Sequence, residues 1–134
     1  MARLLGIDYG TVRVGLALSD PESRLAFPKE VVPHDEAFDR ITTLVREGHI
    51  SEIVVGLPLP LAGGESAMTN EARSFASLLS ESVRIPVTMW PELLSSREAA
   101  HAPGGKKDDA SAAAIVLQSY LDEQSRSAHQ EATL

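Results

Sequence analysis

Apolar positions in the first quarter of the chain follow the pattern of short β-strands. Residues 3 to 8 and 13 to 19 are apolar runs joined by Tyr9-Gly10-Thr11-Val12, which predicts a hairpin. Residues 25 to 32 predict a third strand, and Pro28 would confine it to a sheet edge or a bulge because proline lacks a backbone N–H. Three consecutive strands are therefore expected to open the fold.

Helical periodicity appears in three later segments. Asp35 is the expected N-cap of a helix that ends near Gly48, and a second helix begins at about Ser66. A last helix is expected from about Asp108 to Asp122. These helices account for the remaining long segments of the chain.

Two further strands lie between the helices. The unbroken apolar run at 53 to 57 is typical of a strand covered on both faces, and the run at 85 to 90 is expected to stop at Pro91. The element order is therefore βββαβαβα, in which hairpins come first and crossover units follow. This order predicts an α/β fold with a mixed five-stranded sheet and helices on both faces.

The length of 134 residues suits one domain, which we predict to span residues 1 to 122. The segment 123 to 134 is polar and is expected to be disordered. No signal peptide and no apolar stretch of membrane-spanning length are present, so we expect a cytoplasmic protein that does not enter a membrane. The absence of cysteine excludes disulfides, thiolate zinc sites and cysteine nucleophiles.

The formal net charge of −7 limits how the protein could bind nucleic acid. A protein that bound nucleic acid through its overall charge would be basic. Any such function must therefore rest on a local basic patch or on bound metal cations.

Three acidic residues occupy positions where functional groups of an open sheet gather. Asp8 ends the first strand, Glu92 is expected just beyond the fifth strand, and Asp109 opens the last helix. On that helix, the face of Asp109 continues as an apolar stripe, whereas the face of Asp108 is mixed and more polar. Asp109 is therefore the acid expected to point toward the sheet.

Clustered carboxylates repel one another, at a cost of about 4 kcal/mol for a pair ~4 Å apart at an effective dielectric constant near 20. A divalent cation bound between the carboxylates makes their net interaction favourable, and oxygen-only ligands favour Mg²⁺ or Mn²⁺.

Each acid also has a simpler interpretation. Asp8 could shape the turn before Gly10, Asp109 could cap its helix, and Glu92 could be an exposed loop residue.

Four segments resemble the YqgF/RuvX family of RNase H-like proteins, the Holliday junction resolvases and pre-16S rRNA nucleases of bacteria. They are LLGIDYGTVRVGLALSD, IVVGLPLPLAGG, PELLSS and DDASAAAIVLQSYLD. The similarity extends over nearly the whole chain to about residue 122. It implies an RNase H-like fold and a catalytic, metal-binding site formed by Asp8, Glu92 and Asp109, with one or two Mg²⁺ or Mn²⁺ ions.

The same resemblance implies a nuclease that acts on branched DNA or on precursor rRNA. A resolvase that cuts two strands symmetrically would be expected to form a homodimer. Several other side chains are candidates to contact nucleic acid, although each could equally be a surface charge, a turn residue or a cap. They are Arg13, Lys106, Lys107, Arg97, Thr11 and Ser95.

The sequence departs from the family pattern beside the second acid. The family reads Asp-Glu-Arg where this chain has Pro91, Glu92 and Leu93. A leucine cannot supply the bidentate phosphate contact of an arginine. The alternative is therefore a non-catalytic protein that binds nucleic acid or has a regulatory role.

A third interpretation is a nucleotide-hydrolysing enzyme, because Asp-x-Gly-Thr after a strand also resembles the phosphate loop of actin-like ATPases.

Overall fold

The structure is a computed structural model that describes the backbone of residues 3–93 and 109–132 and the side chains of residues 3–92 and 110–127. The described residues form five strands and three helices in the predicted order. These are β1 (Arg3–Asp8), β2 (Arg13–Ser19), β3 (Ala26–Pro33), α1 (His34–Glu47), β4 (Ile50–Leu59), α2 (Ala67–Ser82), β5 (Val87–Leu93) and α3 (Asp109–Ala132).

All five strands form one sheet with the order β3-β2-β1-β4-β5. The pairs β1–β2 and β2–β3 are antiparallel, whereas β1–β4 and β4–β5 are parallel. Pro28 lies on the edge strand β3, next to a register shift between Leu16 and Ala17 of β2. The mixed α/β sheet that the sequence predicted is therefore confirmed.

The fifth strand does not stop at Pro91, so that prediction is wrong. Pro91 pairs in register with Leu57 of β4, and Glu92 pairs with Pro58. Within the described residues β5 has β4 as its one neighbour, and an edge strand can contain a proline because one of its sides forms no ladder. Glu92 thus lies inside a strand rather than in a loop.

The beginning of α1 also differs from the prediction. The N-cap is Pro33, with extended backbone dihedral angles, and Asp35 lies inside the first helical turn. Its negative charge there still interacts favourably with the helix dipole. The helix ends at Glu47 with Gly48 as its C-cap, as predicted, and the N–H of Gly48 donates to the carbonyl of Leu44.

The last helix is longer than predicted. It continues past Asp122 to Ala132, through most of the segment expected to be disordered. That segment lacks an apolar stripe but is rich in helix-forming residues and contains an i, i+3 ion pair between Arg126 and Glu123. Local propensity therefore extends the helix where hydrophobic periodicity gave no signal.

The two faces of the sheet pack against different helices. Helices α1 and α2 cover one face, and their core includes Leu5, Ile7, Ile41, Ile53, Val55, Phe75 and Leu79. Helix α3 covers the other face, and its core includes Leu4, Ala17, Val54, Ala113, Val116, Leu117, Tyr120 and Leu121. The apolar stripe predicted to share a face with Asp109 is the stripe that α3 buries.

Helix α2 begins with a reciprocal capping box that ties it to the end of β4. The Ser66 hydroxyl accepts from the N–H of Thr69, and the Thr69 hydroxyl accepts from the N–H of Ser66 and donates to the carbonyl of Pro58. Replacing Ser66 with alanine is expected to lower the free energy of unfolding by about 1 kcal/mol. Urea denaturation would measure the change, with Ser77→Ala, an exposed mid-helix position, as a control expected to be neutral or slightly stabilising.

Candidate active site

Asp8 is the last residue of the central strand β1, and its side chain is 1% exposed. It pairs with Gly15 of β2 on one side and with Gly56 of β4 on the other. Gly6, two residues earlier, faces α3, since a Cβ there would lie 2.8 Å from Leu117 Cβ. Residues two apart on a strand share a face, so Asp8 also lies on the α3 face.

Glu92 is also buried, with 8% exposure. It shares a face of β5 with Trp90, whose indole N–H donates to Ser119 Oγ on α3 at 3.1 Å. A Cβ atom on Gly56 would lie 2.9 Å from Glu92 Oε1, so the carboxylate sits over that glycine. Gly56 therefore lies between the strand of Asp8 and the carboxylate of Glu92, and the two acids flank it on one face of the sheet.

Helix α3 begins at the same edge of the sheet. The carbonyl of Ala113 and the Cβ of Leu117 lie against Gly6, whereas Tyr120 reaches Glu52 near the start of β4. The helix thus runs from the carboxyl ends of β1 and β4 toward their amino ends. Asp109 is its first residue, one turn before Ala113, so its backbone lies at the edge that carries Asp8. The side chain of Asp109 is outside the described residues.

The burial of Asp8 and Glu92 tests the simpler interpretation of each residue. Glu92 is not an exposed loop residue, because it is buried within β5. Asp8 is buried at the end of the β1 ladder, so it is not an exposed turn residue. Among the side chains described, no three histidine or acidic groups are close enough together to hold a metal ion. Asp8, Glu92 and Asp109 as one catalytic, metal-binding set therefore stay a prediction.

Two of the six side chains predicted to contact nucleic acid lie within the described residues. Thr11 and Arg13 are exposed at the turn between β1 and β2, directly after Asp8. The other four candidates, Ser95, Arg97, Lys106 and Lys107, lie outside the described residues. Their contacts with nucleic acid also stay predictions.

Sequence reasoning missed the role of Gly56 in this site. The apolar run Ile53–Leu57 indicates only a buried strand, although a glycine inside such a strand often marks a close approach of another group. Here the group that approaches is the Glu92 carboxylate. Gly56 is therefore the feature of the sequence that could have indicated a side chain packed closely over β4.

Near the middle of α3, a tyrosine forms a partly buried hydrogen-bond network with residues of β4 and β5. The Tyr120 hydroxyl donates to Glu52 Oε2 at 2.6 Å, and Thr88 Oγ1 donates to the same oxygen at 2.8 Å. Burial, and then the bond to Glu52, raises the pKa of Tyr120 from the usual 10.0 to about 12. Tyr120 therefore remains neutral in the folded protein at a pH where it ionises in the unfolded chain.

This difference predicts a loss of stability at alkaline pH. The contribution of Tyr120 is fully present below pH 10 and is lost as the pH rises from about 10 to about 12, because only the unfolded chain releases the proton there. Urea denaturation at pH 9, 10 and 11 would measure the loss. Tyr120→Phe is expected to remove most of it, and the remainder would belong to Tyr9, whose pKa is also raised by burial and by Glu71. An unchanged pH dependence in Tyr120→Phe would contradict the prediction.

Within residues 3–93 and 109–132, no helix is both long and apolar enough to cross a membrane.

The sheet topology, with a central strand that ends in a buried acid and a last helix that begins beside it, defines the chain as a protein with an RNase H-like fold. Comparison with known families identifies the group within that class. The sequence profile of the RuvX family, described as Holliday junction resolvase, matches residues 2–123. The chain belongs to this family, as the sequence motifs predicted.

Bacterial relatives share a third or more of their residues with this chain. A protein of Corynebacterium jeikeium is 40% identical over 137 residues, which cover 92% of this chain and 88% of that protein. A protein of Maridesulfovibrio salexigens is 36% identical over 131 residues, which cover 89% of this chain and 97% of that protein. Both carry the name "Putative pre-16S rRNA nuclease". Family and relatives together support a nuclease role and favour it over nucleotide hydrolysis.

Solved structures confirm the fold. RuvC of Thermus thermophilus superimposes with a TM-score of 0.60 at 18% identity, covering 91% of this chain and 95% of RuvC. A second T. thermophilus RuvC structure, in complex with a Holliday junction substrate, gives a TM-score of 0.58 at 14% identity over 92% of this chain and 96% of RuvC. At these identities the likeness concerns the fold alone.

Proposed function

We propose that this protein is a divalent-metal-dependent endonuclease that hydrolyses phosphodiester bonds in structured nucleic acid. The observation that carries the proposal is the burial of Asp8 and Glu92 on one face of the sheet, on either side of Gly56. Two carboxylates in such surroundings repel each other and lose hydration. A bound cation would compensate for both costs.

The residues at this edge fit Mg²⁺ or Mn²⁺. Their donor atoms are carboxylate oxygens, which these hard cations prefer. Gly56 leaves space where any side chain would press on Glu92. Asp8 and Glu92 would hold the metal, together with Asp109 at the start of α3, and the number of ions would be one or two.

Each part of the chain would then contribute one function to hydrolysis. A bound divalent cation activates water and stabilises the charge that develops on phosphate oxygens. Asp8 and Glu92 are fixed by strands rather than by loops, which limits their movement and orients their lone pairs. Arg13 and Thr11, exposed beside Asp8, would hold the nucleic-acid backbone, and Ser95, Arg97, Lys106 and Lys107 would extend that contact.

Two substrates agree with these features. The names of the bacterial relatives favour processing of pre-16S rRNA, which we propose to occur at its 5′ end, and the family description favours cleavage of a Holliday junction. A junction resolvase would act as a homodimer so that two strands are cut symmetrically. We place the catalytic domain at residues 1 to 122 and the protein in the cytoplasm.

A non-catalytic nucleic-acid-binding or regulatory role is the second candidate. It is favoured by Pro91 and Leu93, which replace the acidic and basic residues of the family motif on either side of Glu92. The two functions differ in their response to metal and to substrate. A nuclease must bind Mg²⁺ or Mn²⁺ and cut, whereas a regulatory protein would bind nucleic acid and leave it intact.

A cleavage panel tests the proposal. The substrates would be a four-way DNA junction, duplex DNA, single-stranded DNA and a structured pre-16S rRNA fragment, each with Mg²⁺, Mn²⁺ or EDTA. Metal-dependent cutting by the wild type, absent from Asp8→Asn purified in parallel, would support the nuclease. Binding of one substrate with no cutting of any of them would overturn it in favour of the regulatory role.

A further inference from the structure

The face of β5 that packs toward α3 carries Thr88, Trp90 and Glu92, because alternate residues of a strand share a face. Two of these side chains are bonded to other elements. Thr88 Oγ1 donates to Glu52 Oε2 of β4 at 2.8 Å, and the indole N–H of Trp90 donates to Ser119 Oγ of α3 at 3.1 Å. The strand that presents Glu92 is thus attached to α3 two residues before that acid.

The ring of Trp90 makes a second contact with the same helix. It meets the ring of Tyr120 edge to face, with the ring centroids 5.2 Å apart and the planes at 84°. Trp90 also packs against the apolar core beneath α3. Its hydrogen bond to Ser119 and its ring contact with Tyr120 involve successive residues of the helix, so together they fix both the position and the orientation of the indole.

The contact with α3 matters because β5 is otherwise held from one side. Within the described residues its one strand neighbour is β4. The residue of β4 that pairs with Trp90 is Gly56, which has no side chain to pack beside the indole on this face. Trp90 therefore packs on α3 where a larger partner on β4 would normally support it.

The elements of the other two acids are fixed differently. Asp8 ends a central strand that is paired on both sides. Helix α3, which begins with Asp109, packs closely on β1, where a Cβ at Gly6 would lie 2.8 Å from Leu117 Cβ. The edge strand of Glu92 is therefore the element whose position depends most on a single side chain, that of Trp90.

We propose that Trp90 is a positioning residue for the metal site. By bonding to Ser119 it holds the end of β5 against α3 and so fixes the Glu92 carboxylate relative to Asp8 and to the start of α3. This inference rests on the proposed metal-dependent function. Mg²⁺ demands near-ideal octahedral coordination, whereas the larger Mn²⁺ accepts less regular ligand sets. A displaced Glu92 should therefore weaken Mg²⁺ binding more than Mn²⁺ binding.

Metal titration of the full chain tests this role without a cleavage assay. Mn²⁺ affinity would be measured from the electron paramagnetic resonance signal of the free ion, and Mg²⁺ affinity from its displacement of Mn²⁺. Ser119→Ala is expected to weaken Mg²⁺ binding about tenfold, at the lower end of the effect of residues that orient metal ligands, and Mn²⁺ binding less. Ser119→Thr keeps the hydroxyl and should retain the wild-type affinities.

Further variants separate positioning from a general effect on the fold. Trp90→Phe removes the N–H but keeps an aromatic ring against Tyr120, and it should weaken Mg²⁺ binding as Ser119→Ala does. The double variant should show no further loss, because both changes remove the same hydrogen bond. The Tm of Ser119→Ala in EDTA should change little, since this bond is exposed and water can replace it. Ser125→Ala, at an exposed position later on α3, should leave metal binding unchanged.

Three results would overturn the role of Trp90: an unchanged Mg²⁺ affinity in Ser119→Ala, an equal loss for both ions, or a lower Tm with unchanged metal binding. Wild-type protein that binds neither ion would overturn this inference together with the proposed function. Wild-type protein that binds both ions but cuts no member of the substrate panel would overturn the nuclease alone, and the metal affinities of the variants would still decide the role of Trp90.

Discussion

Replacing Asp8 with asparagine is expected to reduce metal-dependent cleavage at least about a thousandfold. The change removes one negative charge from a ligand set that is buried at the end of β1, while the shape of the side chain is kept. Loss of about 4 kcal/mol of transition-state stabilisation, which is within the contribution of a bound metal ion, gives this factor. Single-turnover cleavage of the best substrate with saturating Mn²⁺ would measure it.

Thermal unfolding of the same variant separates the loss of metal binding from a loss of structure. Wild-type protein should gain about 2.7 kcal/mol of stability when the metal concentration is one hundred times Kd, and Asp8→Asn should gain none. In EDTA the Tm of the variant should stay close to that of the wild type, because asparagine keeps the size and shape of the buried side chain. A marked drop of Tm in EDTA would mean that Asp8 is needed for folding, and its activity loss would then carry no information about metal.

Asp39 offers the matched control for this experiment. It is an exposed aspartate on α1, and Asp39→Asn makes the same chemical change far from β1. Cleavage and the metal-induced rise of Tm should both remain at the wild-type level. A metal response that disappears equally in both variants would show that the ion binds the general negative charge of the protein rather than the site at Asp8.

The parts of the fold that depend on local pattern were predictable from the sequence. Hydrophobic runs defined β1 and β2 to the residue, and the helical stripe around Asp109 correctly identified the face of α3 that packs on the sheet. Each of these signals lies within one element. The residues that carry them bury their own apolar side chains, and burial dominates the choice of structure.

Features that depend on neighbours in space were not predictable in the same way. Pro91 looked like a strand end because proline disrupts a ladder, but β5 lies at an edge where the disruption is tolerated. The N-cap position expected for Asp35 is taken by Pro33, which makes no side-chain cap hydrogen bond, because β3 continues directly into α1. Which strand becomes an edge, and which turn becomes a direct junction, is set by the whole sheet.

In the candidate site too, some features were predictable from local pattern and others depend on neighbours in space. Asp8 and Asp109 could be selected from the sequence because strand ends and helix starts gather at one edge of an open sheet. The position of Glu92 inside β5, and its contact with Gly56, depend on the register of two parallel strands. That register is fixed by side-chain packing across the sheet, for which a single sequence contains no direct signal.

Gly56→Ala is expected to damage the site and the fold together. The new Cβ would lie 2.9 Å from Glu92 Oε1 and 3.1 and 3.4 Å from the two Cγ atoms of Val116. Pressure on Val116 should cost about 1–3 kcal/mol of stability, as overpacking usually does. Displacement of the Glu92 carboxylate by a fraction of an ångström or more should reduce cleavage about a hundredfold. Urea denaturation and cleavage kinetics would measure the two effects.

A second substitution on α3 separates these two consequences. Val116→Ala removes both Cγ atoms that the new methyl group would meet, and it leaves Glu92 untouched. The double variant should therefore be more stable than the sum of the two single changes predicts, because the methyl group added at position 56 partly fills the space left by the valine side chain. Its cleavage should stay as low as that of Gly56→Ala, since the contact with Oε1 persists. Recovery of cleavage in the double variant would show instead that the position of α3, and not the placement of Glu92, limits the reaction.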